Sequence, residues 1–443
     1  MKEKMLKGNI ISLAARYGIP SVLTMWIFSL YTIVDGVFIG KFLGSKSLAA
    51  VNIVMPYVNF SFALGIMIAI GSSTMISIQL GAGNDGLAKK IYSISLKLFI
   101  IFGIFLSVLG IMFPEKVVRL LGADSVILNE AIEYLFYLSF FTLFYILSYG
   151  LECFVRIEGK QNYSLFCILG GAIMNIVLDY VLIVTLNMGI KGAAIATGMA
   201  QLTTALMLWG ILCLKGKKLK YVSANIKKDV VISILYNGSS EFLTEITTGI
   251  VLMVFNIYIM NYIGSEGVSA FGIIGYISTL VTMTMIGFSQ GIQPIISYNY
   301  GAKENKRVLD ILKFGLLVVL LLGGLFYFLV NIFSHNLITI FTKEGDNLYF
   351  ITKEAITYYS FTYFIMGINI IISAYFTAIE NAFISCILSV FRGLIFINIL
   401  LYALPKIFST KGIWLSASVN EFIMIGLSIY LFRNSLKNLY KII

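Results

Sequence analysis

Long apolar runs recur along the whole chain, and they limit the possible folds more than any other feature of the sequence. Each run has about 20 or more mostly apolar residues, the length that an α-helix needs to cross a bilayer. Only 12% of the residues are charged, against roughly 25% in a soluble domain. We therefore predict twelve membrane-spanning helices, at residues 14–39, 48–78, 91–113, 126–154, 163–186, 192–214, 230–261, 267–297, 311–334, 355–378, 383–404 and 412–432.

The distribution of basic residues predicts the orientation in the membrane. Twelve spans, an even number, place both termini on one side. Of the 32 Lys and Arg residues, 20 fall on that side and nine on the other. Because cytoplasmic loops carry an excess of Lys and Arg, both termini are predicted to be cytoplasmic. The net charge of +11 reflects this bias and attraction to anionic membrane lipids, so no nucleic-acid partner is expected.

The sequence repeats itself at a constant offset of 220 residues. Three segments recur at this offset: 43–50 (LGSKSLAA) as 263–270 (IGSEGVSA), 81–90 (GAGNDGLAKK) as 301–310 (GAKENKRVLD), and 190–201 (IKGAAIATGMAQ) as 410–421 (TKGIWLSASVNE). We call two positions related by this offset repeat partners. A fourth pair, around Glu158 and Glu380, is displaced by two positions more. Such self-similarity predicts a duplication of six spanning helices.

The duplication predicts the domain organisation. Residues 1–214 form an N-lobe with the first six helices, residues 215–228 a cytoplasmic linker, and residues 229–443 a C-lobe with the last six. Each half has an even number of spans, so the halves have the same orientation and are related by an axis along the membrane normal. The predicted fold is an all-α integral membrane protein with two six-helix lobes. A cleft between them, opened by rocking of one lobe, would give alternating access.

Four polar side chains lie at one depth of the predicted N-lobe. Asp35 interrupts the apolar run YTIVDGVFIG near the outer end of the first span. Asn175 and Asp179 lie four residues apart, hence on one face of the fifth span, and Thr197 lies early in the sixth. Oxygen ligands of these kinds suit hard cations such as Na⁺, whereas an intramembrane carboxylate can instead carry a proton. We predict a cation site here; the simpler alternative is that Asp35 only caps or hydrogen-bonds a neighbouring helix.

The C-lobe carries its charges at other positions. Phe255 is the repeat partner of Asp35, whereas Glu241 and Glu245 lie four residues apart in the seventh span. Arg392 in the eleventh span is predicted to pair with one of these glutamates, because unpaired charges inside a membrane are costly. A structural ion pair and a role toward the substrate are both open for these three residues.

The supply of Met and aromatic residues suits an apolar cavity for flat cationic compounds, bound by stacking and cation–π contacts. Candidate lining residues are Met25, Met253, Met283 and Phe288, together with Glu241, Glu245 and Arg392. Pro20 in the first span removes a backbone hydrogen bond and permits a bend. Such a bend is predicted to respond to the occupancy of Asp35.

Several chemistries are not expected. The sequence has no GxxxxGK[ST] loop for ATP hydrolysis and a single histidine, so the chain is not expected to be an enzyme or to hold a cofactor besides a coupling ion. An intramembrane aspartyl protease using Asp35 and Asp179 is the alternative from another class, but the sequence contains no GxGD. A channel is a further alternative. The protein is expected to function as a monomer.

Taken together, these features resemble the multidrug and toxic compound extrusion (MATE) family. The resemblance rests on the 6+6 repeat, the first helix IPSVLTMWIFSLYTIVDGVFIG, the loops GAGNDGLAKK and GAKENKRVLDIL, and the segment NGSSEFLTE that opens span seven. It covers nearly the whole chain and is strongest to the bacterial MepA-like branch, close to clostridial efflux members. The resemblance implies a bacterial plasma-membrane antiporter that exports cationic, often aromatic, drugs in exchange for Na⁺ or H⁺.

The resemblance also implies which residues hold the coupling ion. In family members with an N-lobe site, an aspartate of the first helix, an Asn and an Asp of the fifth and a Thr of the sixth surround it; Asp35, Asn175, Asp179 and Thr197 match these positions. A tyrosine of the fourth helix takes part in some members, and here Tyr134 or Tyr137 would fill that place. Other branches use acids of the seventh and tenth helices, a pattern from which this chain departs. A lipid-linked oligosaccharide flippase of the same superfold is the alternative within transport.

Overall fold

The structure is helical throughout the part of the chain that it describes. It is a computed structural model covering residues 2–440, and these residues contain no β-strand. Among them, eleven helices are long and apolar enough to span a membrane, and a bent pair makes a twelfth. We label them α1 (Ile10–Leu43), α2 (Ser45–Gly81), α3 (Asp85–Met112), α4 (Leu128–Ser139 and Thr142–Ile157), α5 (Gln161–Thr185), α6 (Gly189–Lys215), α7 (Lys228–Tyr262), α8 (Ser265–Gly301), α9 (Asn305–Ile332), α10 (Phe361–Ala378), α11 (Ala382–Phe408) and α12 (Thr410–Tyr440).

The predicted all-α fold is confirmed, and the predicted spans coincide with helices whose ends differ by a few residues, apart from two spans that are each broken into two segments. Short helices outside the spans cover Lys2–Lys7, Pro114–Leu120, Ser334–Thr339 and Asn347–Tyr359. Lys441, one of the basic residues counted on the termini side, and the last residues of the predicted C-lobe lie outside the described residues. The domain boundaries stay a prediction.

Two spans are broken where the sequence predicted continuous helices. The two segments of α4 meet at an angle of 51° around Phe141. A Cβ on Gly198 of α6 would overlap the Phe141 ring, so the bend seats that ring in the space that the glycine leaves. The predicted span 355–378 is likewise interrupted at Ser360, the repeat partner of Phe140. The duplication therefore extends to the position of the breaks.

Three spanning helices contain a short π-helical stretch. Asp35 lies one turn before the first stretch, Asp179 directly precedes the second, and Arg392 belongs to the third. The stretches are Ile39–Leu43, Tyr180–Thr185 and Phe391–Ile395. π-helical turns leave backbone groups in unusual positions and occur often at functional sites. Their presence here indicates that these three charged positions are candidates for a functional role.

The two lobes contact each other where α2 crosses α8, and the glycines at this crossing are related by the duplication. A Cβ on Gly81 of α2 would overlap the carbonyl oxygen of Tyr298, and a Cβ on Gly301 of α8 would overlap that of Ile78. Gly301 is the repeat partner of Gly81, and Tyr298 is that of Ile78. The contact is thus symmetric, and only glycine permits backbones to approach so closely.

The lobes are sealed in the half of the membrane next to the termini. There, Gly71 of α2 and Gly238 of α7 lie against backbone carbonyls of the opposite lobe, and a Cβ on Gly18 of α1 would lie 2.7 Å from the Phe288 ring. In the far half, added Cβ atoms on glycines of α1, α7 and α8 would have nothing within 4 Å: Gly36, Gly249, Gly272 and Gly275. The cleft is therefore closed at the termini side and open on the other.

The linker between the lobes is fixed to the N-lobe by one carboxylate. Glu158, at the end of α4, accepts backbone N–H groups of Lys217, Lys218 and Leu219 at 3.1, 2.7 and 2.6 Å. Lys97 of α3 donates to the Ala224 carbonyl oxygen at 2.7 Å. The linker thus crosses the closed, termini-side end of the cleft as an ordered segment.

Candidate functional site

The four polar residues predicted for the N-lobe lie together, and three of them are buried. Asp35 is 7% exposed, and Asn175 and Asp179 are 0% exposed. The carboxyl group of Asp35 interacts with the side chains of Asp179 and Thr197. Asn175 lies one turn before Asp179 on the same face of α5. The cluster therefore joins α1, α5 and α6 at one depth, as predicted.

Most side-chain polar atoms of this cluster form no hydrogen bond with any described residue. Asp35 Oδ1, Thr197 Oγ1 and both carboxylate oxygens of Asp179 are buried without a hydrogen bond to any described residue, as are both side-chain polar atoms of Asn175. Burying such groups without a partner costs free energy. The donor set of carboxylate, amide and hydroxyl groups fits a hard cation or a shared proton, and it argues against a helix cap as the only role of Asp35.

Tyr134, and not Tyr137, lies against the cluster. The Tyr134 side chain is 2% exposed and interacts with Thr197, Asp35 and Asp179. Tyr137 is half-buried and packs edge-on against the Phe136 ring. Of the two tyrosines that the sequence left open, the structure brings only Tyr134 to the site.

The corresponding region of the C-lobe is apolar. Phe255 is 2% exposed and stacks on Phe271, with 5.1 Å between ring centroids. The Phe271 ring in turn lies 6.5 Å from Trp414, which is fully buried. Ala417, the repeat partner of Thr197, has no polar side chain. Aromatic packing thus occupies the place that the N-lobe gives to its polar cluster.

The prediction that Arg392 pairs with Glu241 or Glu245 is wrong. Arg392 Nε lies 2.7 Å from Glu421 Oε1, and Asn369 Nδ2 donates to Glu421 Oε2 at 2.7 Å. Arg392 lies in the π-helical turn of α11, and its side chain reaches α12. Sequence reasoning missed Glu421, although it ends the third repeated segment as the repeat partner of Gln201.

With Arg392 occupied elsewhere, the two glutamates of α7 face the N-lobe. Glu245 interacts electrostatically with Tyr145 of α4, and Glu241 with Tyr149, one turn further along. Among the described residues, neither glutamate has an ion pair or hydrogen bond. Two carboxylates of the C-lobe thus lie within electrostatic range of two tyrosines of the N-lobe.

A cavity of about 630 Å³, counted with its open mouth, lies in the N-lobe beside these tyrosines. Aromatic side chains dominate its wall, and Gly171 and Ala172 of α5 leave the space. The lining includes Met25, Phe28, Tyr31, Phe62, Tyr145, Tyr149, Glu152 and Gln201.

One carboxylate, that of Glu152, lines this cavity, and sequence reasoning missed it. Glu152 is 4% exposed and lies 3.3 Å from Arg156 Nη2, in an i,i+4 pair on α4. Glu152 Oε1 and the Tyr149 hydroxyl have no hydrogen bond to any described residue. Arg156 was assigned to the cytoplasmic end of the span, yet it is 3% exposed. The spacing in ECFVR was the signal for a buried pair.

The other candidate lining residues have mixed outcomes. Met25 lines the cavity as predicted, and Met283 is half-buried against the core. Met253 is 65% exposed and does not line this cavity, so its place in the substrate path stays a prediction. Phe288 is misassigned, because it packs against Gly18 within the seal. Pro20 is buried inside α1 on the termini side; its bend stays a prediction.

Comparison with known proteins places this geometry in a family. The MatE family model matches residues 20–181 and 242–404. The multidrug export protein MepA of Staphylococcus saprophyticus is 25% identical over 450 residues, covering 98% of each chain. The probable multidrug resistance protein YoeA of Bacillus subtilis is 24% identical over 400 residues, covering 88% of this chain and 86% of the relative.

Solved structures share the fold at lower identity. A multidrug resistance MATE family transporter in an outward-facing conformation superposes with a TM-score of 0.93 at 22% identity, covering 99% of this chain and 98% of that chain. A MATE structure described as the bent conformation gives 0.92 at 22% identity, with the same coverage. The transporter fold, together with the bacterial relatives MepA and YoeA, implies a multi-span plasma-membrane protein. The chain belongs to the MATE family, in its MepA-like branch.

Proposed function

We propose that the protein is a multidrug efflux antiporter, which exports cationic and aromatic compounds in exchange for inward Na⁺ or H⁺. The observation that carries the proposal is the buried cluster of Asp35, Asn175, Asp179 and Thr197, most of whose side-chain polar atoms form no hydrogen bond with any described residue. A cluster of this kind holds a cation or a proton and recovers the free energy of its desolvated groups.

The cation cluster and the drug cavity share two helices, and this gives a physical route for coupling. Tyr31, one turn before Asp35 on α1, lines the cavity, as does Gln201, one turn after Thr197 on α6. Gln201 Nε2 donates to the Tyr31 hydroxyl at 3.0 Å and Gln201 Oε1 accepts from Ser148 at 2.9 Å. A cation that draws Asp35 and Thr197 together shifts α1 and α6 against each other and changes the cavity wall. By thermodynamic reciprocity, the drug then weakens cation binding to the same extent.

Charge and aromatic surface support cationic substrates. The ring of a bound compound would stack on the tyrosines of the cavity wall, and its ammonium would lie over an aromatic face. Glu241 and Glu245 across the cleft add negative potential where the compound enters. The drug-export function in the printed names of the relatives, MepA and YoeA, agrees with this substrate class.

Alternating access is supported by the chemistry of the seal. At the closed end of the cleft, α2, α7 and α8 each carry buried polar atoms that form no hydrogen bond with a described residue. These atoms are Thr74 Oγ1, Ser77 Oγ, Asn237 Nδ2 and Oδ1, Ser289 Oγ and Gln293 Nε2. Groups of this kind raise the free energy of the sealed state and would be hydrated in a state open to the termini side. We propose that Pro20, in the same half of α1, lets this helix bend between the two states, and that both termini are cytoplasmic.

The alternatives are less well supported. Asp35 and Asp179 do lie side by side, as a protease dyad requires, but the chain belongs to a transporter family. A lipid-linked oligosaccharide flippase would need a larger and more basic cavity, whereas Arg156, beside this one, is paired with Glu152.

Efflux from proteoliposomes tests the proposal. The purified protein is reconstituted with a cationic dye, and inward Na⁺ and H⁺ gradients are imposed in turn at equal ionic strength. We expect at least one gradient to accelerate dye export well above liposomes without protein. Export that is indifferent to both gradients would defeat the antiporter assignment.

A further inference from the structure

We propose that the termini-side ends of α5 and α6 form a binding site for an anionic phospholipid, built from Lys160, Lys215 and Lys217 around Tyr163. The site lies outside the cation cluster and the cavity. Its headgroup subsite is a cluster of ammonium groups, and its tail subsite is an exposed apolar surface on the same two helices.

The lysines form one cluster although they come from two parts of the chain. Lys160 precedes α5, Lys215 ends α6, and Lys217 opens the linker. Lys215 and Lys217 lie close enough to Lys160 to lower its pKa further, beyond the lowering that burial causes, while Glu158 opposes them. Lys160 Nζ is covered and has no hydrogen bond to any described residue. A phosphate group would supply the missing acceptor and relieve the repulsion among three like charges.

The nearby carboxylate does not neutralise this cluster fully. Glu158 binds the three backbone N–H groups of Lys217, Lys218 and Leu219, so its oxygens are already engaged with the linker. Three ammonium groups against one carboxylate leave a net positive charge. The α5 N-terminus adds to it, because no side chain caps this helix end and its first N–H groups carry partial positive charge.

An apolar surface continues from the cluster toward the membrane interior. Lys215 Nζ lies 4.1 Å from the centre of the Tyr163 ring, which is 42% exposed. Phe166, one turn below on α5, is 64% exposed, and Leu214 of α6 is 86% exposed. Tyrosine at the headgroup level with apolar side chains beneath is the pattern that lipid-facing surfaces show. The charge above an apolar face fits a lipid better than an acidic protein segment.

The duplication contains no second copy of this site. At the offset of the fourth repeated pair, which covers the end of the fourth span, Lys160 corresponds to Ala382. The repeat partner of Lys215 is Ser435. A lipid here would hold Lys217, and with it the first residues of the linker, against the N-lobe.

Native mass spectrometry of the purified full-length protein tests this site without any transport assay. Phosphatidylglycerol and phosphatidylcholine with identical acyl chains are titrated onto wild type, the triple variant Lys160→Gln/Lys215→Gln/Lys217→Gln and a control variant Lys90→Gln/Lys303→Gln/Lys306→Gln. The control removes the same charge at the termini-side ends of other spanning helices. We expect wild type and control to retain phosphatidylglycerol in preference to phosphatidylcholine. Each lysine removed from the site should weaken binding roughly fivefold, and the single variant Lys215→Gln serves if the triple variant does not fold.

Three results would overturn the proposal. Equal loss of lipid in the control variant would mean a general effect of net charge. Displacement of the lipid by millimolar inorganic phosphate would mean a site for small anions. Tighter retention of a polyglutamate peptide than of phosphatidylglycerol would mean a protein partner.

Discussion

The two lobes descend from one sequence of six helices, yet they place charge in different ways. In the N-lobe, Asp35 and Asp179 are buried beside each other with oxygens that no described residue binds. In the C-lobe, Phe255 fills the equivalent place, and the buried charges of Arg392 and Glu421 bind each other at 2.7 Å. A charge without a protein partner is available to a ligand, whereas a paired charge stabilises the fold. The comparison supports the proposed cation site in the N-lobe and a structural role for the C-lobe ion pair.

The cavity follows the same division. Gly171 and Ala172 leave open space beside α5, and the repeat partner of Ala172 is Arg392, whose long side chain occupies the C-lobe interior. Gln201 of the N-lobe is replaced in the repeat by Glu421, which pairs with that arginine. The duplication thus places a charged pair in the C-lobe at two positions that line the cavity in the N-lobe.

Removing a cluster carboxylate should have the largest effect. Asp35→Asn keeps the shape of the side chain but not the negative charge, so we expect gradient-driven dye efflux to fall at least about 100-fold, toward liposomes without protein. Asp229→Asn, at the exposed start of α7, is the matched control and should leave efflux unchanged. Normal coupled efflux in Asp35→Asn would remove the cluster from the mechanism.

A glycine of the seal provides the next largest effect. In Gly238→Ala the new methyl group would overlap the Met67 carbonyl oxygen, and strain of about 1–3 kcal/mol should shift the balance roughly 10- to 100-fold away from the sealed state. Distances between spin labels on the termini-side ends of α2 and α7 measure this shift. Gly249→Ala, on the same helix with nothing within 4 Å of its Cβ, should leave the distances unchanged. Unchanged distances in both variants would mean that the seal tolerates looser packing.

The C-lobe ion pair should affect stability and not coupling. Arg392→Met leaves Glu421 buried without its cation, and we expect a loss of about 2 kcal/mol, below the 3–5 kcal/mol of a fully buried pair because Arg392 is 24% exposed. The double variant Arg392→Met/Glu421→Met should recover most of that loss. Thermal unfolding in detergent measures both. A double variant that is stable but uncoupled would assign these residues to transport.

Filling the N-lobe cavity with a larger side chain should have the smallest effect on function. Ala172→Leu adds a large side chain to the wall, so we expect roughly tenfold weaker dye binding with cation binding retained. Fluorescence titration of the purified protein with the dye measures the affinity, and Gly210→Ala, where an added Cβ meets nothing within 4 Å, is the control. Undiminished dye affinity would place the substrate elsewhere in the cleft.

The sequence predicted those features that depend on periodicity and on charge within apolar runs. Twelve helices, the duplication and the grouping of Asp35 with Asn175 and Asp179 follow from spacing alone, because residues four apart share a helix face. The family resemblance was confirmed by the match to the MatE model, while its clostridial detail stays a prediction.

Features that depend on tertiary packing were not predicted. The bend at Phe141 has neither proline nor glycine at its centre, and it arises from Gly198 on another helix. The partner of Arg392 lies on another helix, and Arg392 itself lies in a π-helical turn that no sequence pattern indicates. Arg156 was assigned to the cytoplasmic surface because it lies at the end of its span, although its neighbour Glu152 holds it in the interior.

Cation binding to the purified protein tests the difference between the lobes most directly. Binding is measured with radioactive sodium and, in parallel, as protons released on addition of dye, in wild type, Asp179→Asn and Glu241→Gln/Glu245→Gln. We predict that wild type and the double glutamine variant bind a cation by one of these two measures, and that Asp179→Asn does not. Binding that survives in Asp179→Asn, or that is lost in Glu241→Gln/Glu245→Gln, would contradict an N-lobe coupling site.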